Sequence, residues 1–406
     1  MKDRVVQFPN RYKLTPVSGD IYDLTPEPGI VTEPGTDLSK ANLLSDETAI
    51  QLGLDPEDNP TVNDAFGITV GRIGDIKITT RTDLGDNWLL CNGDEVSESL
   101  YPDLYALLAP WPNGMWIANQ QGTNTLHSVA YGNGYWVTVG YNGSLYYKAD
   151  TPDGSWTSNK HSDSMSSVAY GNGYWAAVGG YGRLYYKDNT PAGSWAAKQY
   201  GTNALRSVTY ANGYWVAVGE NGALYYKADT PNGTWTSNNQ SGSLRSVAYG
   251  NGYWVAVGDS GVLYYKADTP NGTWTSNKQG TNALYSVTYA NGYWVAVGSN
   301  GVLYYKVDTP NGTWIANKQG TSTLYSVTYA NGYWVAVGND GVLYYKVDTP
   351  NGTWIANQQG TSTLRSVAYG NDYWVAVGYD GSLYYKGRRT VPTIALDGAY
   401  AYIRAK

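Results

Sequence analysis

The side chains with which this 406-residue chain can do chemistry are few in kind. It holds two His, His127 and His161, and one Cys, Cys91, against 40 Tyr and 16 Trp. Cys-His spacings for a metal and Gly-rich loops for phosphate are missing, so no metal ion or cofactor is expected. Between Pro110 and Lys386 the single Glu is Glu220, and most Asp residues recur at one turn. A pair of carboxylates in one pocket of unique shape, as glycoside hydrolysis needs, is not offered, and no catalytic residue is expected. What remains is recognition. Arg donates paired hydrogen bonds to carboxylate or phosphate, and Tyr stacks on the apolar face of a sugar ring.

These groups fall at two recurring positions. Immediately before a repeated Ser-Val pair stand His127, Ser166, Arg206, Arg245, Tyr285, Tyr325 and Arg365. Immediately after a repeated Val-Gly or its equivalent stand Tyr141-Asn142, Gly180-Tyr181, Glu220-Asn221, Asp259-Ser260, Ser299-Asn300, Asn339-Asp340 and Tyr379-Asp380. From these the candidate ligand-binding set is His127, Arg206, Arg245, Tyr285, Tyr325 and Arg365, with Tyr141, Tyr181, Glu220, Asp259, Asp340 and Tyr379. Both positions vary from copy to copy, so the repeated element does not require any one residue there.

The element itself is a repeat. Segments like YANGYWVAVG place Trp at 136, 175, 215, 254, 294, 334 and 374, and a second Trp series runs through 116, 156, 195, 235, 274, 314 and 354. The period is close to forty residues in both series. Each unit contains four short β-favouring runs, such as Trp274 to Asn277, Tyr285 to Tyr289, Tyr293 to Val297 and Val302 to Lys306, separated by Gly- and Asn-rich turn signals. Nothing in the unit predicts a helix. Four strands in about forty residues is the signature of a propeller blade, so the fold class is all-β, a seven-bladed β-propeller. The array opens at Trp116 with an outermost strand and stops at Leu383 to Lys386 with a third strand, which predicts that the two ends of the array complete one blade. In an up-and-down blade the start of the first strand and the turn between the second and third lie at one end, so both variable sets belong to one face of the disk.

The turn Asp308-Thr309-Pro310-Asn311-Gly312-Thr313-Trp314 resembles the Asp-box of sialidase-type propellers, with an Asp to Gly spacing one residue longer. Its copies carry Asp150, Asp229, Asp268, Asp308 and Asp348, with Asn189 as a substitute. A motif repeated in nearly every blade serves every blade, so these acids are expected to cap their own turns.

The flanks differ in composition. Residues 1–70 are rich in Pro, Gly, Asp and Thr and predict an extended arm, with one short helix starting near Ser45-Asp46-Glu47-Thr48-Ala49-Ile50. Residues 71–108 contain Trp88-Leu89-Leu90-Cys91-Asn92-Gly93 and then Tyr101-Pro102-Asp103-Leu104, which resembles the opening of the phage tail-collar domain; the Phe-Asn-Leu-Pro-Asp segment that normally follows is absent. The end, Thr390 to Lys406, resembles the C-terminal strand of tail-fibre proteins. A propeller over 109–388, inserted into a collar-like module made of 71–108 and 389–406, is the expected organisation. The arm with Arg11-Tyr12-Lys13-Leu14-Thr15-Pro16 resembles the attachment end of tail fibres, which implies docking onto other tail or baseplate proteins.

The resemblance implies a receptor-binding protein of a phage or phage-like particle, made in the bacterial cytoplasm and acting in the virion tail outside the host cell. Its ligand would be a host cell-surface polysaccharide or wall polymer. Collar-type fibres as a family imply a homotrimer, which a propeller does not itself require. A glycan-degrading tail enzyme and a purely structural tail scaffold are the alternatives. The net charge of −6 argues against nucleic acid, and no apolar run of eighteen residues predicts membrane insertion.

Overall fold

A computed structural model describes residues 116–387 continuously, and in the flanks the strands Val5–Gln7, Arg11–Ser18, Ile21–Pro26, Ile76–Thr79, Trp88–Leu90 and Tyr400–Arg404. The chain divides into two compact units, Ala109–Arg389 and the flanks Met1–Leu108 with Thr390–Lys406.

The larger unit is a β-propeller of seven four-stranded antiparallel blades. Blade 5 shows the pattern: Leu284–Ala290 innermost, then Tyr293–Gly298, Leu303–Val307 and the outer strand Ile315–Ala316. Counting starts with blade 1 at Leu126–Gly132, and blade 7 holds Leu364–Gly370, Tyr373–Gly378 and Leu383–Gly387. Its fourth strand is Ile117–Ala118, which pairs Tyr385 with Ile117 and Tyr384 with Ala118. The ring is therefore closed by the two ends of the array, as the phase of the repeat predicts. Except in blade 2, where it is Ala196–Gln199, the outer strand is shorter than expected: Thr275–Ser276 rather than Trp274 to Asn277.

The second strand of each blade lies between neighbouring sheets and is buried on both faces; Trp136, Trp175, Trp215, Trp254, Trp294, Trp334 and Trp374 are fully enclosed. Each packs against the Tyr opposite it on the first strand, as Tyr131 does on Trp136 with ring centroids 5.0 Å apart. The Gly ending this strand is fixed by space, since a Cβ on Gly140 would meet the Thr125 carbonyl at 2.0 Å.

Polar bonds lock the blades to one another. The Val129 amide donates to Ser366 Oγ at 3.2 Å, and equivalent Val amide to Ser Oγ bonds join every successive pair of blades from Ser128 to Ser326. On the face opposite the variable positions, Asn371 Nδ2 donates to the Asp150 carbonyl, and Asn212 Nδ2 to that of Asp268. The Asp-box-like residues hold left-handed backbone, φ 56° at Asp150 and 54° at Asp308, a conformation that Asp and Asn adopt readily. The following Trp plugs the blade, Trp314 Nε1 donating to the Pro310 carbonyl at 3.0 Å. The motif serves the turn through its backbone and its Trp, while no capping hydrogen bond of these Asp side chains is found among the described residues.

In the other unit the described strands form two small sheets. Val5–Gln7, Arg11–Ser18 and Ile21–Pro26 are antiparallel neighbours in that order, where the sequence predicts only an extended arm. Gly19-Asp20, the two residues between the longer strands, is a hairpin signal that low apolar content obscures. Tyr400–Arg404 lies between Ile76–Thr79 and Trp88–Leu90, antiparallel to both, so strands from before and after the propeller share a sheet. The predicted helix at Ser45 to Ile50 and the collar motif from Cys91 to Leu104 lie outside the described residues. Among the described residues no helix is long and apolar enough to cross a membrane.

Candidate functional site

The two variable sets share one end of the blades. Directly after the second strand the chain makes a one-turn 3-10 helix, Tyr141–Gly143 in blade 1 and its equivalents in the rest, and the Tyr141 amide donates to the Thr125 carbonyl beside the first strand. Side chains fourteen residues apart therefore meet. Arg206 is ion-paired with Glu220. Arg245 grips Asp259 with Nε at 2.9 Å and Nη2 at 3.1 Å, and this bond is the main reason its guanidinium is held above its ordinary pKa. Arg365 Nη2 donates to the Tyr379 hydroxyl at 2.7 Å.

Contacts between blades join two of these pairs, Arg245 with Asp259 and Arg365 with Tyr379, into an arc on this face. The Arg245 guanidinium stands 5.6 Å from the Tyr285 ring centroid, Tyr285 and Tyr325 are 5.2 Å apart, and Arg365 sits 4.1 Å over Tyr325 and 4.9 Å from Tyr379. Arg365 is thus sandwiched between two aromatic rings, a favourable arrangement for a cation. Its Nε is buried with no hydrogen-bond partner among the described residues. Two of the three arginines expected to meet a ligand are occupied by carboxylates of their own blade; the third is not.

His127 belongs to the same face in a different way. It is half-buried, with Nδ1 2.9 Å from the Met165 carbonyl. Burial is the largest cause lowering its pKa, and Arg365 and Arg206 push the same way, so the ring is neutral at pH 7.

Backbone geometry explains part of the variation in the turns. The second turn residue holds positive φ in every blade: Asn142, Tyr181, Asn221, Ser260, Asn300, Asp340 and Asp380. Asn and Asp there satisfy the backbone, so Asp340 is accounted for without a ligand. Tyr181 is not; it holds φ 54° with 71% of its surface exposed. Of all tyrosines in the propeller, those that stand exposed are Tyr379, Tyr141 and Tyr181, at this turn in blades 7, 1 and 2, which are consecutive around the closed ring.

Beside Tyr181 lies a group that comparison of the two variable positions alone passes over. Asp163 accepts from the Tyr185 hydroxyl at 2.7 Å and Ser162 Oγ at 3.0 Å, and lies 3.4 Å from Arg183 Nε. The Tyr185 hydroxyl is the main cause holding the Asp163 carboxyl below its ordinary value. His161 packs on Tyr185 and Trp195, with ring centroids 5.0 and 6.0 Å away. The signal was present in the sequence: Lys160-His161-Ser162-Asp163-Ser164 departs from the Gln-Gly-Thr found in most copies, and Arg183 replaces Ser144, Ala223, Val262, Val302, Val342 or Ser382. Among the described residues no three His, Cys, Asp or Glu side chains cluster as metal ligands.

No family model and no curated protein matches this chain. Among solved structures it is similar to Ycf48 bound to a D1 peptide, at 18% identity over 69% of this chain and 98% of that one, with TM-score 0.56. Ycf48 from Cyanidioschyzon merolae matches at 15% identity over 68% and 99%, TM-score 0.55. The WD40 β-propeller domain of Doa1 matches at 11% over 68% and 97%, TM-score 0.57. At these identities the likeness establishes the propeller fold.

Proposed function

We propose that the chain is a non-enzymatic receptor-binding protein of a phage or phage-like tail, and that the variable face of its propeller binds a host cell-surface polysaccharide or wall polymer. The observation that carries this reading is the placement of the three exposed tyrosines in consecutive blades of that one face, continuous with the Tyr285, Tyr325, Arg365 and Tyr379 arc. Exposed aromatic rings in a row, with the Arg365 guanidinium stacked among them, suit a polymer that offers apolar ring faces and spaced acceptors. The resemblance of the flanks to tail-collar and tail-fibre sequences supplies the tail context, with the arm docking on other tail proteins and the family implying a trimer.

Recognition rather than hydrolysis is favoured because Glu220 and Asp259, the acids that open the turns of blades 3 and 4, are held by Arg206 and Arg245. A carboxylate engaged by a guanidinium of its own blade is already occupied by a hydrogen-bond partner. A peptide ligand is the second reading, since a Ycf48 propeller of this fold is bound to a peptide.

The test is adsorption of the full chain to intact bacteria. Replacing Arg365 and Tyr379 together by Ala is expected to weaken adsorption by about tenfold or more, one tenfold step being about 1.4 kcal/mol. Unchanged adsorption would remove the face. Stripping surface polysaccharide from the cells is expected to abolish adsorption, whereas loss on protease treatment instead would favour the peptide.

A further inference from the structure

The corner between blades 1 and 2 differs from every other corner of the ring, and its departures touch one another. Ser164 joins the two tyrosine-bearing turns: its Oγ accepts from the Asn142 amide at 3.0 Å, and its carbonyl accepts from the Gly180 amide at 3.3 Å. The His161 amide donates to the Gly143 carbonyl, so the loop that carries Asp163 lies along the turn of Tyr141. Asp163 in turn reaches across to Tyr185 and Arg183 of blade 2, and Arg183 is two residues beyond Tyr181. An acceptor carboxylate and a donor guanidinium are thus fixed beside two exposed tyrosines.

The corner between blades 3 and 4 provides an internal comparison. It has the same shortened loop and the same scaffold: Ser243 Oγ accepts from the Asn221 amide, its carbonyl from the Asp259 amide, and Ser241 Oγ meets the Tyr264 hydroxyl at 3.0 Å. There, however, Glu220, Ser260, Gly242 and Val262 stand in place of Tyr141, Tyr181, Asp163 and Arg183. The scaffold forms without those four residues, so folding does not explain them. Tyr181 even opposes it, because a bulky side chain at positive φ is strained, and such strain accumulates where a ligand is held.

We infer that Tyr141, Tyr181, Asp163 and Arg183 form a subsite for a neutral sugar unit with adjacent hydroxyls. The inference rests on the glycan reading of this face and specifies one part of it. Tyr141 and Tyr181 supply stacking surfaces. Asp163 accepts a hydrogen bond from one hydroxyl. Arg183 donates to its neighbour through terminal nitrogens that have no partner among the described residues. Because Asp163 and Arg183 cancel in charge, the subsite has no preference for an acidic sugar, in contrast to the arc at Arg365.

The experiment measures binding of the full chain to an array of bacterial surface polysaccharides, some neutral and some bearing uronate or phosphate, together with its melting temperature. Tyr181→Asn installs the residue found at the same turn in Asn142, Asn221 and Asn300. It is expected to melt at or above the temperature of the unaltered chain and to bind neutral polysaccharides about tenfold more weakly. Asp163→Asn frees Arg183 and is expected to shift preference toward uronate- and phosphate-bearing polymers. If both variants bind the neutral polymers as the unaltered chain does, the subsite is wrong while the glycan reading of the face stands. If the unaltered chain binds nothing on the array, both fall.

Discussion

At the residue scale, the two histidines make the clearest prediction about pH. Burial pushes the pKa of both His127 and His161 below the ordinary value of 6.5. Above that value both are neutral, folded or unfolded, and contribute no pH dependence. As pH falls below it, the unfolded chain takes up protons first and stability declines until the folded-state pKa values are reached. Thermal denaturation should therefore show a falling melting temperature between pH 7 and pH 5, flattened in a chain carrying His127→Gln and His161→Gln. Asp163, held below the usual carboxyl range, acts only below about pH 4. His161→Gln has a further effect, because Gln121, Gln279 and Gln319 at the same position accept the amide of the next outer Trp. Restoring that acceptor for Trp195 should stabilise the chain by about 1 kcal/mol. A lower melting temperature for this variant at pH 7 would contradict the account of an Nε2 buried without a hydrogen-bond partner among the described residues.

At the scale of the element, the blade was legible because its strands and turns carry local signals: Tyr293 to Val297 appears in the structure as Tyr293–Gly298, bounded by Asn-Gly turns. The outer strand was less so. Trp314 looks like part of it, yet its amide goes to Gln279 Oε1 at 3.2 Å and its indole to Pro310, so it leaves the ladder and two residues, Ile315–Ala316, remain. Side-chain partners thirty-five residues away are invisible to a local pattern. The same holds for the site. Comparing copies located the two variable positions, but it could not reveal that Glu220 and Asp259 occupy Arg206 and Arg245, nor that Asp340 owes its type to a left-handed turn. The Ser ring carries a prediction at this scale. Ser207→Ala leaves the Val247 amide without its acceptor between two blades and should cost about 1–3 kcal/mol in urea denaturation. No change would mean that the inter-blade bond adds nothing.

For the whole molecule the decisive feature is closure. Asn119 donates its amide to the Leu383 carbonyl at 2.7 Å and its side-chain amide to Pro152 and Gly154 of the next blade. Asn238 makes the same set to Leu224, Pro270 and Gly272, but within a continuous stretch of chain. Replacing either by Pro removes equivalent bonds. Only Asn119→Pro also opens the ring, so it should lower the melting temperature further than Asn238→Pro. Equal losses would indicate that the closing strand contributes no more than any other outer strand.

A closed ring gives this protein one uniform face, latched by Asn to carbonyl bonds, and one individual face, where Tyr379, Tyr141 and Tyr181 stand exposed. That the individual face takes the host polysaccharide is tested most directly by hydrogen exchange of the full chain, with and without surface polysaccharide from bacteria to which it adsorbs. Slowed exchange is expected in the turns around residues 141–143, 180–182 and 379–381, with the Asn-Gly turns of the opposite face unchanged. Protection confined to those opposite turns, or to the outer strands, would contradict it.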